Sequence, residues 1–307
     1  MPSYAVTRER LINSAPEAVF DLLRNFRRWP EWSPWLACEP DARLDFAEDG
    51  SRYAWDGRIL GAGSITVTAE KRPARLEHDL AFIRPFKSRS RTRFSLAPEG
   101  NGTQVSWTVE GSLPIFLFWL KPMLTAMLGM DFERGLRRLA AVLEQGRVPA
   151  TLDVIGLTET PATRYVGITA DCAIRDIGAS MQESFGRLGA WFQQAGVQPS
   201  GPWFSIYHRW DVVRGQARYS ACVPVASPPA SLPDGFASDE RPRLRTYAVR
   251  LTGPFDFLAD AWAAGFGRAK AGLFKQAKTH APFEIYEMTP ETHPGEPPVT
   301  AVHFPAA

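Results

Sequence analysis

The residues best suited to chemistry are Glu284 and Tyr286, in the segment Phe283-Glu284-Ile285-Tyr286. Its alternation predicts a β-strand with Phe283 and Ile285 on one face and Glu284 and Tyr286 on the other. Two residues' rise sets the carboxylate-bearing and phenol-bearing positions about 7 Å apart. An earlier segment, Trp203-Phe204-Ser205-Ile206-Tyr207, repeats the pattern and puts Trp203, Ser205 and Tyr207 on one face. A carboxylate among rings attracts lipophilic cations through its charge and through the ring faces. Partly desolvated, it has a raised pKa and serves as a general acid or base, with Tyr286 orienting a leaving group or a water. Three readings stay open. The five residues Glu284, Tyr286, Ser205, Tyr207 and Trp203 line a ligand cleft; or Glu284 and Tyr286 are a catalytic pair; or Glu284 pairs with an Arg or Lys, or faces solvent.

Other chemistry is less marked. Asp56, Glu70, Glu110 and Asp131 are carboxylates of the right type, but no spacing singles out a pair, and surface charge is the plainer reading. Met123, Met127 and Met130 suit adaptable packing or the wall of a lipid cavity. Cys38, Cys172 and Cys222 are far apart, which points to structural thiols in a reducing compartment. The histidines have no metal-ligand spacing, and no phosphate loop or nucleophile elbow is present, so neither metal nor cofactor is expected. His208 falls on the face opposite Tyr207. Net charge is +2, too small and dispersed to argue for nucleic acid. The opening MPSYAVTRERL has no apolar core of a signal peptide, which favours a cytoplasmic location. The most apolar run, Ile115 to Met130, is broken by Lys121 and Pro122. It reads as a buried helix and not as a membrane span.

The elements that must position these residues fall into two halves joined at Gln145-Gly146-Arg147-Val148-Pro149-Ala150, giving expected domains 1–148 and 149–307. In the first half a strand over 4–12 precedes a helix, with Ser14 as N-cap, Pro16 in the first turn and Glu17 completing a capping box. That helix places Val19, Leu22, Leu23 and Phe26 on one stripe and ends near Trp29-Pro30. Five or six strands follow between Ala42 and Gly111, in an antiparallel meander. A final helix buries Phe132, Leu136, Leu139 and Leu143 against the sheet, with Arg134, Arg137 and Arg138 off the stripe.

The second half is an internal repeat of strand, helix, strand, strand. The first unit runs Arg164–Ile168, a helix with Ile177, Met181, Phe185, Leu188 and Phe192 on one face, Trp203–Tyr207 and a strand ending Ala221–Pro224. The second runs Thr246–Val249, a helix with Leu258, Trp262, Phe266, Ala269 and Leu273, then Pro282–Tyr286 and Ala301–Pro305. A cleft is expected along the pseudo-twofold axis. Trp191 and Trp262 read as core, and 226–244 as a long loop.

The capped helix, the Phe26-Arg27-Arg28-Trp29-Pro30-Glu31-Trp32-Ser33-Pro34-Trp35 stretch, the meander and Asp131-Phe132-Glu133-Arg134-Gly135-Leu136 entering the last helix resemble the START-like superfamily, in its polyketide cyclase/dehydrase branch. The paired repeat, the Ser200-Gly201-Pro202 turn and the Phe283–Tyr286 strand resemble the GyrI-like family, the effector-binding domains of AraC-type and MerR-type multidrug-responsive regulators. These resemblances imply an α+β chain: a helix-grip antiparallel sheet around a long helix, then the pseudo-twofold repeat. They imply one ligand cavity per domain and put Glu284 at the position of the family's pocket glutamate. Some stand-alone GyrI-like members are hydrolases that open strained rings, so the resemblance leaves enzyme activity open. The expected function is a small-molecule-binding protein for hydrophobic or cationic aromatic compounds. The alternatives are a hydrolase of reactive xenobiotics working through Glu284, and a scaffold with vestigial cavities.

Overall fold

The computed structural model describes residues 3–307; Met1 and Pro2, part of the expected first domain and of the opening segment, lie outside the described residues. The chain divides into two compact units, Met1–Pro149 and Ala150–Ala307.

The first unit is a seven-stranded antiparallel sheet in the order β1-β7-β6-β5-β4-β3-β2. The strands are β1 (Ser3–Ile12), β2 (Arg43–Phe46), β3 (Arg52–Gly57), β4 (Gly61–Lys71), β5 (Arg75–Arg84), β6 (Ser88–Glu99) and β7 (Gly102–Ser112). Helix α1 (Pro16–Arg24) buries Val19, Leu22 and Leu23 as expected. The capping box does not form. Proline opens the helix, Ala15 is its N-cap, and no side chain caps it. The helix also stops earlier than expected, because Asn25 is extended and its side chain accepts the Arg27 N–H. A 3-10 turn and the short helix α2 (Trp29–Trp32) follow, with Pro30 in the first turn, where a missing N–H costs nothing.

Helix α3 (Lys121–Gln145) closes the unit. Its second half grips the sheet: Phe132 stacks on Trp107 at 4.1 Å, and Trp107 stacks on Phe94 at 4.8 Å. Trp32 and Trp35 meet the edge of Trp107. Aromatic rings thus pack this half of the helix onto the sheet. Arg134 and Arg138 are buried, against expectation, because backbone carbonyls take their guanidinium N–H groups: Pro34 O for Arg134 and Trp32 O for Arg138. The first half of α3 and the 3-10 helix before it (Ile115–Leu120) overturn the expectation of a buried helix, since that 3-10 segment buries none of its residues.

The second unit is one eight-stranded sheet in the order β12-β9-β11-β10-β14-β15-β13-β8. Its strands are β8 (Thr151–Thr160), β9 (Thr163–Ala173), β10 (Phe204–Asp211), β11 (Gln216–Pro224), β12 (Phe236–Arg241), β13 (Leu244–Thr252), β14 (Phe283–Met288) and β15 (Val299–Pro305), with helices α4 (Ile177–Ala195) and α5 (Leu258–Lys270). The strand-helix-strand-strand repeat is present, and the order is symmetric about the β10–β14 pair. Sequence reading missed the two edge strands. Strand β8 precedes the first unit of the repeat but pairs with β13 of the second, and β12 precedes the second but pairs with β9 of the first. Strand β12 lies inside the stretch expected to be a loop; its residues are mostly polar, and backbone pairing to β9 orders them.

Helix α5 turns a different face inward from the one its apolar spacing predicts. Asp260, Ala261, Ala264, Gly265 and Arg268 are buried, while Phe266 is exposed and Leu273 lies beyond the helix. Gly265 explains the close approach, because a Cβ there would stand 2.0 Å from the Phe304 ring. Gly265→Ala is therefore expected to destabilise the unit by about 1–3 kcal/mol through overpacking. Urea unfolding measures this, and an unchanged midpoint would contradict the packing.

Candidate functional site

Ser205 and Glu284 are direct partners in the β10–β14 ladder, at the centre of the sheet. Their side chains share one face, and Phe204, Ile206 and Phe283 pack on the other. Glu284 is 1% exposed. One carboxylate oxygen, Oε2, accepts the hydroxyls of Tyr207 and Tyr286, each at 2.8 Å. The other, Oε1, accepts the indole N–H of Trp262 at 2.5 Å. The Tyr286 hydroxyl also meets Ser205 Oγ at 2.8 Å. The neighbouring strands and helix α5 thus converge on one acid.

Rings enclose this cluster. Phe185 and Phe255 lie edge-on to Tyr286 at 5.6 and 5.8 Å, and Trp262 lies edge-on to Tyr207 at 4.9 Å. Met181 Sδ stands 3.8 and 3.9 Å from the two tyrosine hydroxyls. Trp203 reaches the cluster through Phe185, 5.5 Å from its ring, and through its carbonyl, which accepts the Tyr286 N–H. The five residues expected at the cleft are therefore brought together, four in direct hydrogen bonding and Trp203 one ring removed. Two further residues join them: Trp262, which also packs on the buried Phe304, and Met181 of the α4 stripe. A buried indole N–H needs an acceptor, and the glutamate on a neighbouring strand is one signal that would have paired them. His208, as expected, turns away and meets Ser220 Oγ at 2.7 Å.

The electrostatics are unusual for an acid. Glu284 neither faces solvent nor pairs with an arginine or lysine among the described residues. Burial raises its pKa, opposed by the hydrogen bonds from Trp262, Tyr207 and Tyr286. The same burial, with the carboxylate adjacent, pushes both tyrosines well above their ordinary range. An uncompensated carboxylate in a low-dielectric box has two remedies, a proton or a cation. On the opposite face of the sheet, Arg241 lies 4.3 Å over the Phe283 ring, and burial lowers its pKa to about 10.

Among the described residues the first unit offers no comparable acid. Glu70 and Asp131 are bonded to Arg24 at 2.6 Å and Arg134 at 3.0 Å, Asp56 pairs with Arg84, and Glu110 faces Arg93 at 4.0 Å. A buried carboxylate that sequence reading passed over, Glu39, holds a turn: it accepts the N–H groups of Arg58, Ile59 and Leu60 at 2.7–2.9 Å. A surface cleft of about 490 Å³ in the second unit is lined by Arg243, Arg245, Lys275, Lys278 and His280 among others, and does not include the Glu284 cluster. No group of three His, Cys, Asp or Glu side chains among the described residues is placed to hold a metal ion.

A helix-grip unit and a pseudo-twofold unit with a buried acid define a two-domain protein of ligand-binding architecture. Residues 3–144 match the family model for polyketide cyclase / dehydrase and lipid transport, and residues 155–306 match the model for the GyrI-like small molecule binding domain. The chain thus carries a domain of the polyketide cyclase / dehydrase type followed by a GyrI-like domain. Solved structures it resembles include protein MLL2253 from Mesorhizobium loti (20% identity, 47% of this chain, 100% of that one, TM-score 0.38). A START superfamily protein from Mycobacterium smegmatis matches at 20% identity over 46% of this chain and 97% of its own, with TM-score 0.34. The EcmrR C-terminal domain matches at 15% identity over 52% of this chain and 99% of its own, with TM-score 0.42. No curated protein matches the chain.

Proposed function

We propose that the second domain (149–307) binds hydrophobic cationic aromatic compounds, with Glu284 as the counter-charge and Tyr207, Tyr286, Ser205, Trp203 and Trp262 as its setting. The observation that carries this is the buried Glu284 carboxylate, held by three neutral donors and, among the described residues, by no cation. A lipophilic cation supplies the missing positive charge and at the same time meets ring faces, which favour it by about 0.5–2 kcal/mol each. The protein is a cytoplasmic binder that senses, sequesters or carries such compounds. The first domain (1–148) serves a hydrophobic ligand of its own.

Hydrolysis through Glu284 is the second reading, favoured by one observation, the raised pKa of a carboxyl flanked by a phenol. A thermal-shift screen of wild type and Glu284→Gln against lipophilic cations, flavonoid-like aromatics and fatty acids separates the readings. Binding predicts a cation that stabilises wild type, loses its effect in the variant and is recovered unchanged by mass spectrometry. A hit that is consumed by wild type alone moves the assignment to catalysis. Hits indifferent to the substitution remove Glu284 from the centre of function.

A further inference from the structure

The first unit presents an apolar surface of a particular shape. In the 3-10 helix Ile115–Leu120 every residue is apolar. At three residues per turn, i and i+3 share a face, so three faces result: Leu117/Leu120, Ile115/Phe118 and Phe116/Trp119. The leucine face is half-buried against the protein. The other two are open, with Ile115 74%, Phe116 73%, Phe118 63% and Trp119 64% exposed. Met123 and Met127 continue the exposure into α3 at 48% and 47%.

A protein groove takes up one stripe of a helix. Here two of three faces are apolar and open, a pattern that suits immersion in an apolar medium. The charges agree. Between Glu110 and Asp131 there is no acidic residue, and the only ionisable side chain is Lys121, two residues after Trp119. Indole and ammonium groups are each at home at the headgroup level of a bilayer. Length decides how far the segment goes. By length and composition the helical stretch 115–145 is apolar enough to cross a membrane, and its apolar window is mostly exposed. Its second half, however, is tied into the core by Phe132, Leu136 and Leu139. Residues 115–127 span about 22 Å, short of the ~30 Å hydrocarbon core.

We propose that Ile115–Met127 docks the first domain on a bilayer surface, with Phe116, Phe118, Trp119 and Met123 entering the interface and Lys121 at the headgroups. This proposal concerns the first unit and does not depend on the role of Glu284. The test is flotation of the full chain with phosphatidylcholine vesicles containing a minor share of phosphatidylglycerol, alongside light-scattering mass measurement without lipid. Wild type is expected to float. The double variant Phe116→Ser/Trp119→Ser is expected to bind at least tenfold more weakly with its melting temperature unchanged, because neither side chain is buried. Phe266→Ser, at an exposed apolar residue of the other unit, is expected to float like wild type. Failure of wild type to float overturns the proposal, as does equal flotation of the double variant. So does a wild-type dimer that the double variant breaks without any lipid binding, since a second copy would then be the occupant.

Discussion

At pH 8 the Glu284→Gln variant is expected to melt at a higher temperature than wild type while binding lipophilic cations at least about 30-fold more weakly, the roughly 2 kcal/mol lost when one partner of a buried charge pair is removed. The two effects share a cause. Folding raises the Glu284 pKa, so between its unfolded value near 4.5 and its folded value the native state holds the extra proton. The contribution of Glu284 to stability is then full below pH 4.5 and declines as pH rises through the folded pKa. Glutamine carries no charge and removes the decline. The amide also fits the site: its oxygen takes the Trp262 N–H, and its NH2 group donates to the two tyrosine oxygens that now donate to the carboxylate. Melting curves from pH 4 to 9 are expected to coincide at the acid end and diverge towards alkali. Curves that stay parallel would mean the acid is not strained by burial.

Acid is expected to weaken the first domain for the opposite reason. His78 is fully buried, and neither ring nitrogen has a hydrogen-bond partner. It sits among Phe26, Trp29 and Phe94, and burial, helped by Arg24, lowers its pKa to about 4. The unfolded chain binds a proton near pH 6.5 and the native core does not. The stability this provides is complete above pH 6.5 and is lost as pH falls towards 4. The window of 6.5 − 4 pH units, at 1.36 kcal/mol per unit, corresponds to about 3 kcal/mol. His78→Leu is expected to flatten this acid limb and, by deleting two unpaired polar atoms, to leave stability at pH 7 unchanged or higher. Chemical denaturation at pH 7 and pH 4.5 measures it, and a variant that loses stability with acid as steeply as wild type contradicts the account. His303 in the second domain, also lowered to about 4, adds its own acid sensitivity there.

These two sites show what the sequence made legible. Glu284 and Tyr286 were readable because a strand's period of two forces them onto one face, and the repeat pointed Ser205 and Tyr207 towards the same cleft; the pairing of Ser205 with Glu284 in one ladder was not readable. Trp262 was not readable, since helical periodicity groups it with Phe266 and Leu258 and cannot say which strand residue the stripe meets. The helix-grip order was legible from the meander and the Phe132–Leu139 stripe. The exposure of Ile115–Met127 was not, because an apolar run looks alike whether its partner is a core or a bilayer. His78 was passed over because no spacing marks a lone histidine, and its significance lies wholly in what surrounds it. The edge strand β12 escaped notice for a related reason: its order comes from pairing with β9 and not from its own residues.

The most direct test of the central claim is titration calorimetry of wild type and Glu284→Gln with tetraphenylphosphonium, run from pH 5 to pH 9 in buffers of different ionisation heat. If Glu284 is the counter-charge, wild-type affinity rises with pH and binding releases protons while the acid is still protonated. The variant then binds at least 30-fold more weakly and without pH dependence. A cation that does not bind, or that binds both proteins equally with no proton release, would contradict the assignment of Glu284 as the ligand's partner.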